Sequence, residues 1–167
     1  MPPYKNIVIV DEFDQVIGAM PLLEAKAKQM ICRSCRVLVF SESGKLLIQR
    51  RGPEVIRPCL FDFSVAGHVD EYETYEQAAL RELQEELGIQ NIPLFTIATS
   101  VPSTNFFSGI FVVTIPDDQM LRPSDEEIDS VVWYSVEEFE SELQEIPEKF
   151  TPELIDTWSK FRDKILP

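Results

Sequence analysis

Apolar positions recur along the chain in short blocks, and their period changes from block to block. The run "NIVIV" over 6–10, the polar stretch "DEFDQV" and the return "VIGAM" predict an N-terminal hairpin. Pro21 opens a helix-favouring segment that continues to residue 30. Residues 31–40 and 45–51 are apolar runs on either side of Ser43-Gly44, a strand–turn–strand pattern. A loop over 52–58 leads into "LFDFSVAGHV", which alternates as one strand or two. Residues 74–87 switch to a helical period. Strands are expected over 91–101, 105–115 and 130–135, with a polar loop over 116–129. Helices are expected over 135–144 and 151–166. Strands and helices joined by short connections place the chain in the α/β or α+β class with a mixed sheet. A length of 167 residues suits one domain over 1–167. The N-terminal hairpin and helix, about residues 5–30, are expected to pack on its core.

The segment over 74–87 carries its own boundaries. Thr74 can cap it with Gln77 as capping-box partner, and Gly88 can end it in a left-handed conformation. On a helical wheel Leu80, Leu83 and Leu87 gather as the core face, with Glu82, Glu85 and Glu86 roughly 140° away. Acids three and four residues apart share a face and repel. No Lys stands between these three to offset the cost.

Composition narrows the setting. Hydrophobic residues make up 44% of the chain and charged residues 26%, an ordinary soluble balance. No apolar run reaches membrane-spanning length. The opening residues lack the basic-then-apolar pattern of a signal peptide, so a cytoplasmic protein is expected, with no membrane partner. A net charge of −14 disfavours a long nucleic acid as partner, while leaving room for a small anion beside local Arg residues and metal. Three cysteines are an odd number, which suits a reducing compartment. Cys32 and Cys35 spell C-x-x-C within an expected strand, where i and i+3 point to opposite faces, so they are read as structural.

A crowded acid trio is what a hard divalent cation needs, because Mg²⁺ and Mn²⁺ take oxygen ligands. Gly67, in the loop before the helix, lets backbone approach such a site closely. Gly67, Glu73, Arg81-Glu82-Leu83, Glu85-Glu86 and Gly88-Ile89 follow the spacing G-x5-E-x7-R-E-U-x-E-E-x-G-U, with U aliphatic. This stretch resembles the Nudix box without a departure. The flanking segments, over about residues 8–89, resemble the Nudix hydrolases related to isopentenyl-diphosphate isomerase.

The resemblance implies an α/β/α sandwich with a mixed β-sheet. It also implies Mg²⁺- or Mn²⁺-dependent hydrolysis of a small-molecule diphosphate linked to another moiety. Glu82, Glu85 and Glu86 would be metal ligands, joined by the carbonyl of Ala66. Arg81 would brace the carboxylates, with Glu73. A further carboxylate often comes from a loop such as 125–127; Glu127 is the choice there and Glu126 the reserve. Arg50, Arg51 and His68 are candidates for substrate binding. Adjacent strand positions face opposite ways, so only one of the two Arg residues is expected to reach the site. A homodimer is possible.

Two other functions stand beside hydrolysis. One is an isomerase of prenyl diphosphates. Ser64-Val65-Ala66 lacks the Cys that related isomerases carry there, Cys59 lies earlier, and Cys32 stands where those isomerases tend to have a His ligand. The other is a non-catalytic binding module, which would not require every ligand of the trio.

Overall fold

The computed structural model describes residues 5–166. Its strands are β1 (Asn6–Val10), β2 (Val16–Pro21), β3 (Ile31–Ser41), β4 (Leu46–Arg51), β5 (Phe61–Asp62), β6 (Val65–His68), β7 (Phe95–Pro102), β8 (Phe106–Ile115) and β9 (Ile128–Tyr134). The helices are α1 (Leu22–Ala27), α2 (Tyr75–Leu87), α3 (Val136–Glu145) and α4 (Pro152–Ile165). The described strands join in one nine-stranded mixed sheet.

β3 organises this sheet. Along one edge it pairs in parallel with β8, from Cys32↔Phe106 to Ser41↔Ile115. Its other edge is shared in turn by β1 at Ile31 and Cys32, β6 at Ser34–Val37, and β4 at Val39 and Phe40, all antiparallel. β6 is thus held between β1 and β4, and the chain leaving it runs straight into α2.

Alternation along β3 sorts the two faces. Cys35, Val37 and Val39 join Leu83 and Leu87 of α2 in one core. Leu38 and Phe40 join Phe139, Leu154 and Trp158 of α3 and α4 in another. The sheet therefore lies between α2 and the α3–α4 pair, which is the α/β/α sandwich. Cys32 packs with Ile7, Ile9 and Ala25, while Cys35 lies under α2, so the C-x-x-C pair is split between faces. Both thiols are free.

The N-terminal hairpin is built into the domain. β1 bonds to β3 through Ile9↔Cys32 and Val10↔Ile31, so it belongs to the sheet. Val8 and Val10 supply part of the core under α2. Its tight turn also acts on that helix. Asp14 has a left-handed backbone, φ 60°, and only 5% of its surface is exposed. Its carboxylate accepts from Arg33 Nε at 2.7 Å, from the hydroxyl of Tyr75 at 2.8 Å, and from Ser100 Oγ. Tyr75 is the first residue of α2, so Asp14 ties the turn, β3 and β7 to the start of the acidic helix.

Removing one partner of a buried charge pair strands the other. Asp14→Ala is therefore expected to destabilise the fold by on the order of 3 kcal/mol. The change should show as a lower urea midpoint at unchanged slope, and an unaltered midpoint would refute the role given to Asp14.

Candidate active site

α2 is bounded as its sequence dictates. Thr74 Oγ1 accepts from Gln77 N at 3.2 Å, Gln77 Oε1 accepts from Thr74 N at 2.9 Å, and Gly88 closes the helix at φ 71°. The face it buries is not the one the leucines predict. Tyr75, Ala78, Ala79, Glu82, Leu83, Glu86 and Leu87 are buried, while Leu80 is 41% exposed. Relative to Leu83, Leu80 lies roughly 60° to one side and Glu86 roughly 60° to the other. Ala78 and Ala79 are on the glutamate side, and their small side chains let the helix lie close to the sheet there. Two carboxylates are thereby carried into the interface, Glu82 at 9% and Glu86 at 2% exposure. Glu85 stays in solvent.

β6 supplies the other wall. Val65 and Val69 point into the core under α2, so Gly67 faces the helix too. A Cβ on Gly67 would overlap the Glu82 carboxyl group. The absence of a side chain there is what admits Glu82.

Arg81 holds the assembly together. Its Nε and Nη2 donate to the two carboxylate oxygens of Glu73 at 2.7 and 2.9 Å. Its Nη1 donates to Glu82 Oε1 at 2.6 Å and to Glu85 Oε2 at 3.2 Å. Its Nη2 also donates to the His68 carbonyl at 3.0 Å. Glu73 accepts from the Asp70 backbone at 3.0 Å, and Lys5 bonds Glu85 at 3.3 Å. Among the described residues, Glu86 accepts one long bond, 3.4 Å, from Gln49 Nε2.

Electrostatics follow burial. Loss of solvation raises Glu82 to about 7, outweighing the pull of Arg81, with Glu85 and Glu127 pushing the same way. Glu86 is raised well above the ordinary carboxylate range by burial first, then by Glu82, Glu127 and Asp62.

Glu127 reaches this cluster because its loop is stitched to the end of α2. Arg122 N donates to the Leu87 carbonyl at 2.9 Å and Ser124 N to the Glu86 carbonyl at 2.8 Å. The Glu127 carbonyl then accepts from Gly52 N at 2.9 Å. Its carboxyl group keeps an exposed edge but is raised by desolvation and by Glu85 and Glu126, against Arg51.

The substrate-binding candidates separate. Leu47 packs under α2, so Gln49 and Arg51 face that side and Arg50 faces away. Arg51 pairs with Asp62 at 2.7 Å beside the acid cluster. Arg50 pairs with Asp129 at 2.9 Å, on the side turned away from the acids. His68 also points away from the acids, because it follows Gly67 in the strand. Its ring lies 5.8 Å from that of Phe106 and its Nε2 is buried without a partner among the described residues. Burial, then Lys26, Arg36 and Arg81, lower it to about 4, so it is neutral at pH 7. Cys59 is exposed in the loop after β4, at φ 63°.

Gln49, Asp70 and Lys5 complete the cluster and escaped the sequence reading. Gln49 carried a signal, a polar residue at the end of the apolar run "LLI". Asp70 and Lys5 carried none, because their partners lie far along the chain.

No three His, Cys, Asp or Glu side chains among the described residues are already grouped as a ligand set. Arg81 holds Glu82 and Glu85 instead. The donors nevertheless fit a hard cation: two buried carboxylates that repel each other, an exposed third, and a glycine whose missing side chain opens the strand beside them. Fold and site together define a sandwich enzyme class in which one helix carries an acidic centre against a strand end.

Comparison with known proteins agrees. The NUDIX domain model matches residues 30–154. An uncharacterized Nudix hydrolase of Pseudomonas aeruginosa is 37% identical over 89 residues, 53% of each chain, so the match spans about half of that relative. One from Yersinia pestis is 30% identical over 90% of this chain and 82% of its own. An isopentenyl-diphosphate Delta-isomerase of Pectobacterium atrosepticum is 27% identical over 97% and 98%. The crystal structure of a Deinococcus radiodurans protein superposes with a TM-score of 0.81 at 22% identity, over 94% of this chain and 99% of that one. The chain belongs to the Nudix family, and its domain and relatives make it a Nudix hydrolase.

Two buried acids with raised pKa values make the metal-free protein sensitive to pH. Between the ordinary value of 4.5 and about 7, folded Glu82 keeps a proton that the unfolded chain has released. Stability from this group is full below 4.5 and is lost as pH rises through about 7. Glu86→Gln removes one of the repelling charges, so its thermal midpoint at pH 8 without metal should exceed the wild type by about 2–4 °C for each kcal/mol gained. A lower midpoint in the variant would contradict the burial argument.

Proposed function

We propose that the chain is a divalent-metal-dependent hydrolase of a small molecule in which a diphosphate is linked to another moiety, using Mg²⁺ or Mn²⁺. The coarser statement, a hydrolase acting on diphosphate-containing substrates, follows from its family. The observation that carries the finer one is the burial of Glu82 and Glu86 against Gly67, an arrangement that a hard cation would relieve.

Glu82, Glu85 and Glu86, with the Ala66 carbonyl, would hold the metal. The bound ion would supply Lewis acidity and lower the pKa of coordinated water. Arg81, fixed in a fork on Glu73, keeps Glu82 and Glu85 oriented toward the strand end. Glu127 is the group proposed to accept a proton from the attacking water, its carboxyl raised above the ordinary range by desolvation and by Glu85 and Glu126. Glu126 is the reserve. Arg51, beside the cluster, suits a phosphate oxygen. Isomerisation is disfavoured because Ser64-Val65-Ala66 supplies no thiol and Cys59 lies in an exposed loop.

The test is incubation with Mg²⁺ or Mn²⁺ and a panel of diphosphates that includes isopentenyl diphosphate. Phosphate release and product analysis locate the broken bond. Hydrolysis should require Glu82, Glu85 and Glu86, and Cys59→Ala should keep most of it. Glu127→Gln should lower kcat by about 10²–10⁴-fold with KM nearly unchanged. Isomerisation of the prenyl substrate that disappears in Cys59→Ala would overturn the proposal, and wild-type kcat in Glu127→Gln would move the base elsewhere.

A further inference from the structure

Lys5 lies outside the segment that matches the NUDIX domain, yet it enters the acidic centre. The start of β1 fixes it there. Glu71 N donates to the Asn6 carbonyl at 2.9 Å, Asn6 Nδ2 donates to Glu71 Oε2 at 3.1 Å, and Val8 N donates to the Val69 carbonyl at 2.9 Å. Ile7 also bridges to Asp70. The chain is thus stitched to the loop that joins β6 to α2, and Lys5 is the residue just before that seam. Its ammonium lies 3.3 Å from Glu85 Oε1 and 3.4 Å from Asp70 Oδ2.

Both oxygens of Glu85 therefore meet a positive group, Oε1 from Lys5 and Oε2 from Arg81 Nη1 at 3.2 Å. A divalent cation ligated by Glu85 would bring its own charge close beside them, and like charges repel. The two groups are not equally free to give way. Arg81 is fixed in its fork on Glu73, donates to the His68 carbonyl and also holds Glu82. Lys5 has two long contacts at the surface, with 50% of its side chain in solvent. An exposed pair of this kind is weak, and the flexible stem of a lysine can carry its ammonium into water. Making room for a cation therefore falls to Lys5.

We propose that Lys5 is a built-in counter-ion of the acidic centre, which neutralises Glu85 in the metal-free protein and is displaced when a divalent cation binds. It is a positioning residue that acts through Glu85 and sets how much free cation the site needs before it fills. The inference rests on the metal-dependent reading of this site. It gives the N-terminal hairpin a second task beside packing, since the same strand that supplies Val8 and Val10 to the core delivers the competing charge.

The test is calorimetric titration of Mn²⁺ into the metal-free full chain at low salt. Lys5→Met and Lys5→Gln should each bind roughly 3–10-fold more tightly than wild type. Lys5→Arg keeps the charge and should show no such gain. Lys160→Met removes an equal charge from the surface of α4, where Lys160 pairs with Asp156, and should leave the affinity unchanged. That control separates a local competitor from the net charge of the chain. In a Glu85→Gln background the gain from Lys5→Met should fall below about twofold, because the two residues are coupled. Equal or weaker binding by Lys5→Met and Lys5→Gln, an equal gain in Lys160→Met, or a full gain in the Glu85→Gln background overturns the role of Lys5 and leaves the metal reading standing. Absence of Mn²⁺ binding in wild type and every variant overturns the metal reading, and this inference with it.

Discussion

Arg81 bonds Glu73, Glu82, Glu85 and the carbonyl of His68 with one guanidinium. Those groups come from a loop, a helix and a strand, and most of them are negative. A guanidinium serves here because its donors are fixed in a plane and it stays charged at any working pH. Around it, Asp70 and Lys5 add charges of both signs. Glu82 is thereby tolerated in an interface that would otherwise force it to remain protonated. Glu86 has no bond to Arg81 among the described residues, only the long one from Gln49, and burial raises it well above the ordinary carboxylate range. Strain of this electrostatic kind is expected where a chain keeps a site ready for a cation and gives up stability to do so.

β3 decides which chemistry lies on which side. Its alternation sends Cys35 and Val37 beneath the acidic helix, and Arg36 toward the opposite face, on the side of α4. β6 alternates in register with it, Cys35↔Gly67 and Arg36↔Ala66. Neighbouring residues of one short strand therefore serve both faces. Gly67 receives Glu82 on one side, and Ala66 lies beside Arg36 on the other.

Packing across many residues settles what the local pattern leaves open. Leu80 belongs to the leucine stripe yet is exposed, because Ala78 and Ala79 set which side of α2 approaches the sheet. Arg50 and His68 sit next in sequence to residues that face the acids, and strand alternation turns them away. Glu127 is exposed in a polar loop that looks unremarkable by composition. It meets the acids because Arg122 and Ser124 bond the last carbonyls of α2. Each outcome depends on which surfaces meet, and that is set by packing across many residues.

Read alone, the sequence determined the alternating order of strands and helices, the capped ends of α2 and the spacing of its acids. These depend on interactions within a few residues, such as the Thr74–Gln77 capping box and the left-handed Gly88, so local pattern suffices. It also separated Cys32 from Cys35, since alternation in a strand is local. Only the tertiary structure decided that Glu82 and Glu86 are buried and that Arg51 and not Arg50 faces them. Burial and pairing join residues distant along the chain, as Gln49 joins Glu86 and Arg33 joins Asp14. No local period encodes such meetings, because they exist only once the two layers of helix have closed on the sheet.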